Sequence, residues 1–176
     1  MSCAAGLWQH LNMIRKRQSF EAGHKPKFLV VVDDTPECDR AIYYAGRRCA
    51  RIGISVLLCR VIATKDRNQQ WLGVADIMRQ EAQDEARTVL AQAAARVKSI
   101  AGISAEQVIR EGDTAEEVLQ LIDEDDDIMV LVLAAGTGKE GPGPLVAALS
   151  TSAGTFPIPV AIVPGHLSDE NLDAMT

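Results

Sequence analysis

At 176 residues, 47% of them hydrophobic and 24% charged, the chain is long enough for one domain with its own core. A formal net charge of −6 excludes the broad basic field that holds nucleic-acid phosphates non-specifically. The four cysteines, Cys3, Cys38, Cys49 and Cys59, show no C-x-x-C and no paired spacing, so free thiols in a reducing cytoplasm are expected.

Residues 1–24 read as an N-terminal extension ending near Pro26. Within it Leu7, Leu11 and Ile14 keep a four-then-three spacing, which predicts a short amphipathic helix packed on its own domain or a partner. No apolar core of a secretory signal follows the basic residues. No apolar run approaches the roughly 18 residues of a membrane span. The expectation is a soluble cytoplasmic protein, with one α/β domain over residues 25–165 and an acidic C-terminal tail over 166–176.

From Lys27 the pattern is regular. "KFLVVVDD" is an apolar, β-branched run of strand length, expected to be buried on both faces. "TPECDRAIYYAGRRCARIG" predicts a helix with Thr35 as N-cap, Pro36 at its first position and Gly53 closing it. "SVLLCRVIA" predicts a second strand. A polar loop, Lys65 to Gln70, leads to a long helix from about Ala75 to Ile100, with Met78, Ala82, Ala86, Val89, Ala93 and Val97 on its buried stripe. "AEQVIREG" is a third strand, and "DTAEEVLQLIDE" a helix capped by Asp113 or Thr114. "DIMVLVLAA" is a fourth strand, "PLVAALSTSAG" a short helix opened by Pro144, and "PVAIVP" a last strand. Strands alternating with helices predict an open five-stranded parallel sheet with helices on both faces.

Ligands of such sheets lie beyond the carboxyl ends of the strands, where the strand order reverses. That rule selects the residues after the first, second and fourth strands. Gly136-Thr-Gly138-Lys-Glu-Gly141 satisfies G-x-G-x-x-G, and glycines there let backbone N–H groups approach an anion. The dinucleotide fingerprint belongs in the opening βαβ unit with an acidic residue about 20 positions on, and neither condition holds. The P-loop pattern fails too, with Leu133 and Glu140 at required positions. A flexible turn remains the plain alternative. Asp33 continues directly from the first strand and is the better acceptor for a ribose or amine. Asp34 reads as a solvated turn residue.

Reaction chemistry is poorly supplied. "STSAG" lacks the first glycine of a nucleophile elbow, and His10, His24 and His166 have no metal-ligand spacing. The run Asp123–Asp127 reads as a solvated turn rather than a metal site. The expectation is a protein that is not an enzyme, with at most slow incidental ATP hydrolysis.

The order of "VVVDDTPECDRAIYYA", "LLCRVI", "REGD", "IMVLVLAAGTGKEG" and "FPIPVAIVP" resembles the universal stress protein family from Lys27 to about Pro164. The resemblance implies a Rossmann-like five-stranded parallel sheet of the adenine nucleotide alpha hydrolase-like type and a role in binding and signalling. It also implies ATP or another adenine nucleotide, with or without Mg, as ligand. It places Asp33 near the ribose or base, Val31 and Val61 against adenine, and Gly136, Gly138, Lys139 and Gly141 around the phosphates, with Thr35 also among the binding residues. The family pattern G-x2-G-x9-G-[ST], started at Gly138 and Gly141, puts Thr151 and Ser152 at its end, so a Cβ stands where the last glycine belongs. The family commonly dimerises through the last strand, here Pro159 to Pro164, which implies a homodimer. The alternatives are a nucleotide-free dimeric interaction module of the same family, or a flavoprotein-like or other α/β enzyme. No nucleic-acid or membrane partner is expected.

Overall fold

Continuous β-branched runs cannot leave one face in water, and the chain buries them between two helical layers. The computed structural model describes residues 17–63 and 72–176. Its strands are β1 (Lys27–Val31), β2 (Ser55–Ala63), β3 (Ala105–Gly112), β4 (Ile128–Ala135) and β5 (Val160–Pro164). Its helices are α1 (Cys38–Ile52), α2 (Leu72–Ala101), α3 (Thr114–Glu124), α4 (Pro144–Ser152) and α5 (Asp169–Met175), with a 3-10 turn at Ala153–Thr155 after α4. Neighbouring strands are parallel in the order β3-β2-β1-β4-β5. The expected five-stranded parallel sheet is present.

All of β1 is buried, and its alternate residues serve different layers. Phe28, Val30 and Val32 pack with α1, α2 and Leu172 of α5. Leu29 and Val31 pack with Val118, Leu121 and Ile122 of α3 and Leu149 of α4. A side chain such as Leu29 or Leu58, fully buried, contributes roughly 1.5–3 kcal/mol. Helix α1 ends as expected at Gly53, whose φ of 73° closes the last turn with its N–H on Cys49 O. Its start differs from the expectation. Thr35 does not cap it; the helix begins at Cys38 after Glu37, and Thr35 instead donates backbone N–H and hydroxyl to Asp33 Oδ1 at 3.0 and 2.5 Å. An aspartate two residues upstream offered a competing turn, and that turn won.

Helix α2 covers the predicted span and more. Ala86, Ala93 and Val97 are buried, whereas Met78, on the same stripe, is 56% exposed.

Two acidic segments serve as docks. The run ending at Asp127 is not simply solvated: Asp127 pairs with His24, Asp125 with Lys27, and the Asp126 carbonyl accepts from Ser19 Oγ at 2.7 Å. These contacts pin the end of the extension to the α3–β4 turn. The amphipathic helix expected over Leu7–Ile14 and the loop Lys65–Gln70 lie outside the described residues. The tail forms α5, capped by Ser168, with Leu172 1% exposed against α1. Among the described residues no helix is long and apolar enough to cross a membrane.

Candidate functional site

The chain moves outward from β1 through β2 to β3, then crosses back to β4 beside β1. The strand order therefore reverses between β1 and β4. A cavity of about 350 Å³ opens there, beyond the carboxyl ends of those strands. Val31 and Leu133 form its floor because both point to the α3–α4 face of the sheet.

Three helix starts converge on it. Cys38 opens α1, Thr114 and Ala115 open α3, and Pro144 to Val146 open α4. Each start carries a partial positive charge from unpaired backbone N–H groups. Asp113 meets this at α3 by accepting from Ala115 N and Glu116 N at 3.0 and 3.1 Å. At α4 the cap is Gly143, whose φ of 99° suits glycine alone, and Pro144 takes the first helical position. Ala147 N donates to Gly143 O at 3.0 Å, so the Leu145 and Val146 amides precede the first intrahelical bond.

Polar groups around the mouth are placed by short local bonds. Asp33 is exposed, and its Oδ1 is taken by Thr35, leaving Oδ2 for a ligand hydroxyl. Asp34 is ion-paired with Arg60, 2.5 Å away, rather than merely solvated. The Cys38 thiol lies in the wall with Sγ 3.8 Å from Val31 O, and burial pushes it up to about 11, so it stays protonated at neutral pH. Among the described residues no cluster of His, Cys, Asp or Glu could hold a metal ion.

The residues singled out from the sequence divide into two sets. Val31, Asp33 and Thr35 line the cavity. Val61 is half-buried on β2 among the residues packed toward α3 and α4, outside the cavity wall. Gly136 sits half-buried at the start of the β4–α4 loop, and Gly138, Lys139 and Gly141 are exposed on it. The wall at this side is formed instead by Pro142, Gly143 and Pro144. Thr151 and Ser152 end α4, their hydroxyls donating to Ala148 O at 2.8 and 3.2 Å. They stand roughly 10 Å along the helix from Pro144. The glycine at the mouth is thus Gly143, eight residues before the position that fixed spacing selects. Pro144 at the first helical position was the readable signal for it. Asp113 to Ala115 were missed because the site was sought only after strands one, two and four, whereas α3 brings the residues after β3 to the mouth.

These features define an α/β protein with a cavity at the sheet's switch point. Residues 26–164 match the model of the universal stress protein family, and the chain belongs to that family. No curated protein matches it. Among solved structures it is similar to universal stress protein UspA from Lactobacillus plantarum, at 15% identity and a TM-score of 0.67, covering 79% of this chain and 97% of that one. It is also similar to a universal stress protein family member from Arabidopsis thaliana with AMP bound, at 22% identity and a TM-score of 0.55, covering 82% and 94%. A third is the universal stress protein from Archaeoglobus fulgidus in complex with dAMP, at 17% identity and a TM-score of 0.52, covering 80% and 98%. At these identities the likeness is one of fold.

Proposed function

We propose that this chain is a cytoplasmic binding protein, not an enzyme, whose switch-point cavity takes an adenine nucleotide. The observation that carries the reading is the cavity itself: about 350 Å³, floored by Val31 and Leu133, with Asp33 and three helix starts at its rim. Apolar walls suit a base, a carboxylate oxygen suits ribose hydroxyls, and a helix start suits phosphate. The structural neighbours whose names include AMP and dAMP support the ligand class. Cys38, Cys49 and Cys59 are free and buried, in keeping with a reducing compartment.

The test is calorimetric titration of the purified chain with AMP. Binding is expected, and it should be lost in Asp33→Ala and in Ala115→Phe, which fills the mouth, while both variants keep the parent's unfolding temperature. Undiminished affinity in both would place the ligand elsewhere. A second reading, a nucleotide-free interaction module, draws on the absence of glycine at position 151; it prevails if AMP, ADP and ATP all fail to bind at millimolar concentration. In either case we propose a homodimer formed through Pro159 to Pro164, because β5 is an edge strand and Ile162 on it is 48% exposed.

A further inference from the structure

The chemistry of the cavity wall points to how much phosphate it accepts. Three carboxylates line it, Asp33, Glu37 and Asp113, and no lysine or arginine does so among the described residues. Asp33 and Asp113 have local duties, holding Thr35 and capping α3. Glu37 has none of that kind: it precedes α1 without making a side-chain cap.

The place of Glu37 is defined by two glycines. A methyl group on Gly136 would lie 2.6 Å from Glu37 Oε1, and one on Gly165 would lie 2.9 Å from Glu37 Cβ. The Glu37 side chain therefore runs between Gly136 and Gly165, and its carboxylate occupies the space that the absent side chain of Gly136 leaves at the foot of the glycine-rich loop. In a phosphate loop that space and its backbone N–H groups face the anion of the ligand. Here the protein's own anion is already there.

Two of the loop amides are also engaged. Gly136 N donates to Pro142 O at 3.4 Å and Gly141 N to Gly138 O at 3.2 Å, while Pro142 and Pro144 have no N–H to offer. The starts of α1 and α3 carry Glu37 and Asp113. Of the three helix starts, only that of α4 presents amides, those of Leu145 and Val146, without a carboxylate of its own. Lys139, the one lysine on the loop, is exposed and outside the wall.

We propose that the site holds an adenosine unit bearing at most one phosphate, that it discriminates against di- and triphosphates, and that Glu37 sets this limit. One phosphate matches the amides at the start of α4. Each further phosphate brings added negative charge toward Glu37, Asp33 and Asp113, with no lysine or arginine in the wall among the described residues to offset it. This rests on the adenine reading above but differs from it in what would defeat it.

The experiment is a titration series of adenosine, AMP, ADP and ATP against the full chain, in EDTA and in excess Mg2+. AMP is expected to bind at least roughly tenfold more tightly than ATP, a discount on bare Coulomb repulsion that allows for solvent screening. Glu37→Gln, which keeps the shape and removes the charge, should narrow the AMP/ATP ratio by about tenfold. ATP binding as tightly as AMP in either buffer would overturn the limit and leave the adenine reading intact. An unchanged ratio in both Glu37→Gln and Glu37→Ala would overturn the role of Glu37. Failure of every member of the series would remove the adenine reading and this inference together. The parent's own series decides the limit even if a variant fails to fold.

Discussion

One carboxylate, that of Asp113, joins local structure to the site. It ends an extended residue at φ −73°, ψ 130°, caps α3, and stands in the cavity wall. Replacing it by Ala should cost about 1 kcal/mol in urea unfolding, whereas Asn, which keeps the acceptor, should stay within a few tenths. Gly165 shows the opposite economy, since it is needed for what it lacks. A methyl there would stand 2.9 Å from both Ala135 O and Glu37 Cβ, and the first is backbone that cannot turn aside. Gly165→Ala is therefore expected to destabilise by about 1–3 kcal/mol by the same measurement. The cap was legible in the sequence as an Asp before a helical run. The clearance at Gly165 was not, because nothing in "VPGHL" says what lies opposite.

Among the elements, α5 shows how an acidic tail docks. It presents Leu172 to the core and its carboxylates to arginines of α1. Arg40 meets Asp169, Arg47 meets Asp173, and Tyr43 donates its hydroxyl to Asp173 at 3.1 Å. The apolar contact is the larger effect. Leu172→Ala should cost about 2–4 kcal/mol in urea unfolding, and Arg47→Ala, at a half-exposed pair, less than about 1 kcal/mol. Helices α1 and α2 are clasped in turn by Asp39 and Arg96, with Nε 2.9 Å from Oδ1. The hydrogen bonds from Arg96, and those from Arg40, hold the Asp39 carboxyl below its ordinary value, although burial pulls it upward. A depressed folded-state value stabilises the fold above the unfolded value, near 4, and that stability is lost as pH falls through the folded value. The difference in urea midpoint between the parent and Arg96→Ala should accordingly shrink on acidification below about pH 4.

For the whole molecule, the edge at β5 is the place where a second copy would add. Pro159 O accepts from Leu131 N, and Gly165 N donates to Ala135 O, so odd-numbered residues of this strand face β4. Val160 and Ile162 then aim their N–H groups away from the sheet. Ile162→Pro removes an outward N–H and leaves the ladder to β4 in place. If β5 is the homodimer contact, the variant should elute as a folded monomer in sizing chromatography where the parent elutes as a dimer. A folded dimer would assign the contact to another surface.

Element type and order were written in the residues themselves. Apolar β-branched runs between turn signals, and helices with readable caps and stops, specify strands and helices through local geometry, which needs only near neighbours in the chain. That local information also yielded Asp33, the family, and the parallel sheet. It failed where two local signals compete, and where the outcome depends on residues far apart. The Asp33–Thr35 turn displaced a well-formed cap, and Gly143 took the place at the mouth that fixed spacing gave to position 151. Glu37 gained its position from Gly136 and Gly165, about 100 and 130 residues away in the chain. Local propensity decides which segments become strands and helices. Only packing decides which of their ends meet, and it brings three carboxylates to this cavity's wall, one of them, Glu37, against a loop whose spelling promised a phosphate.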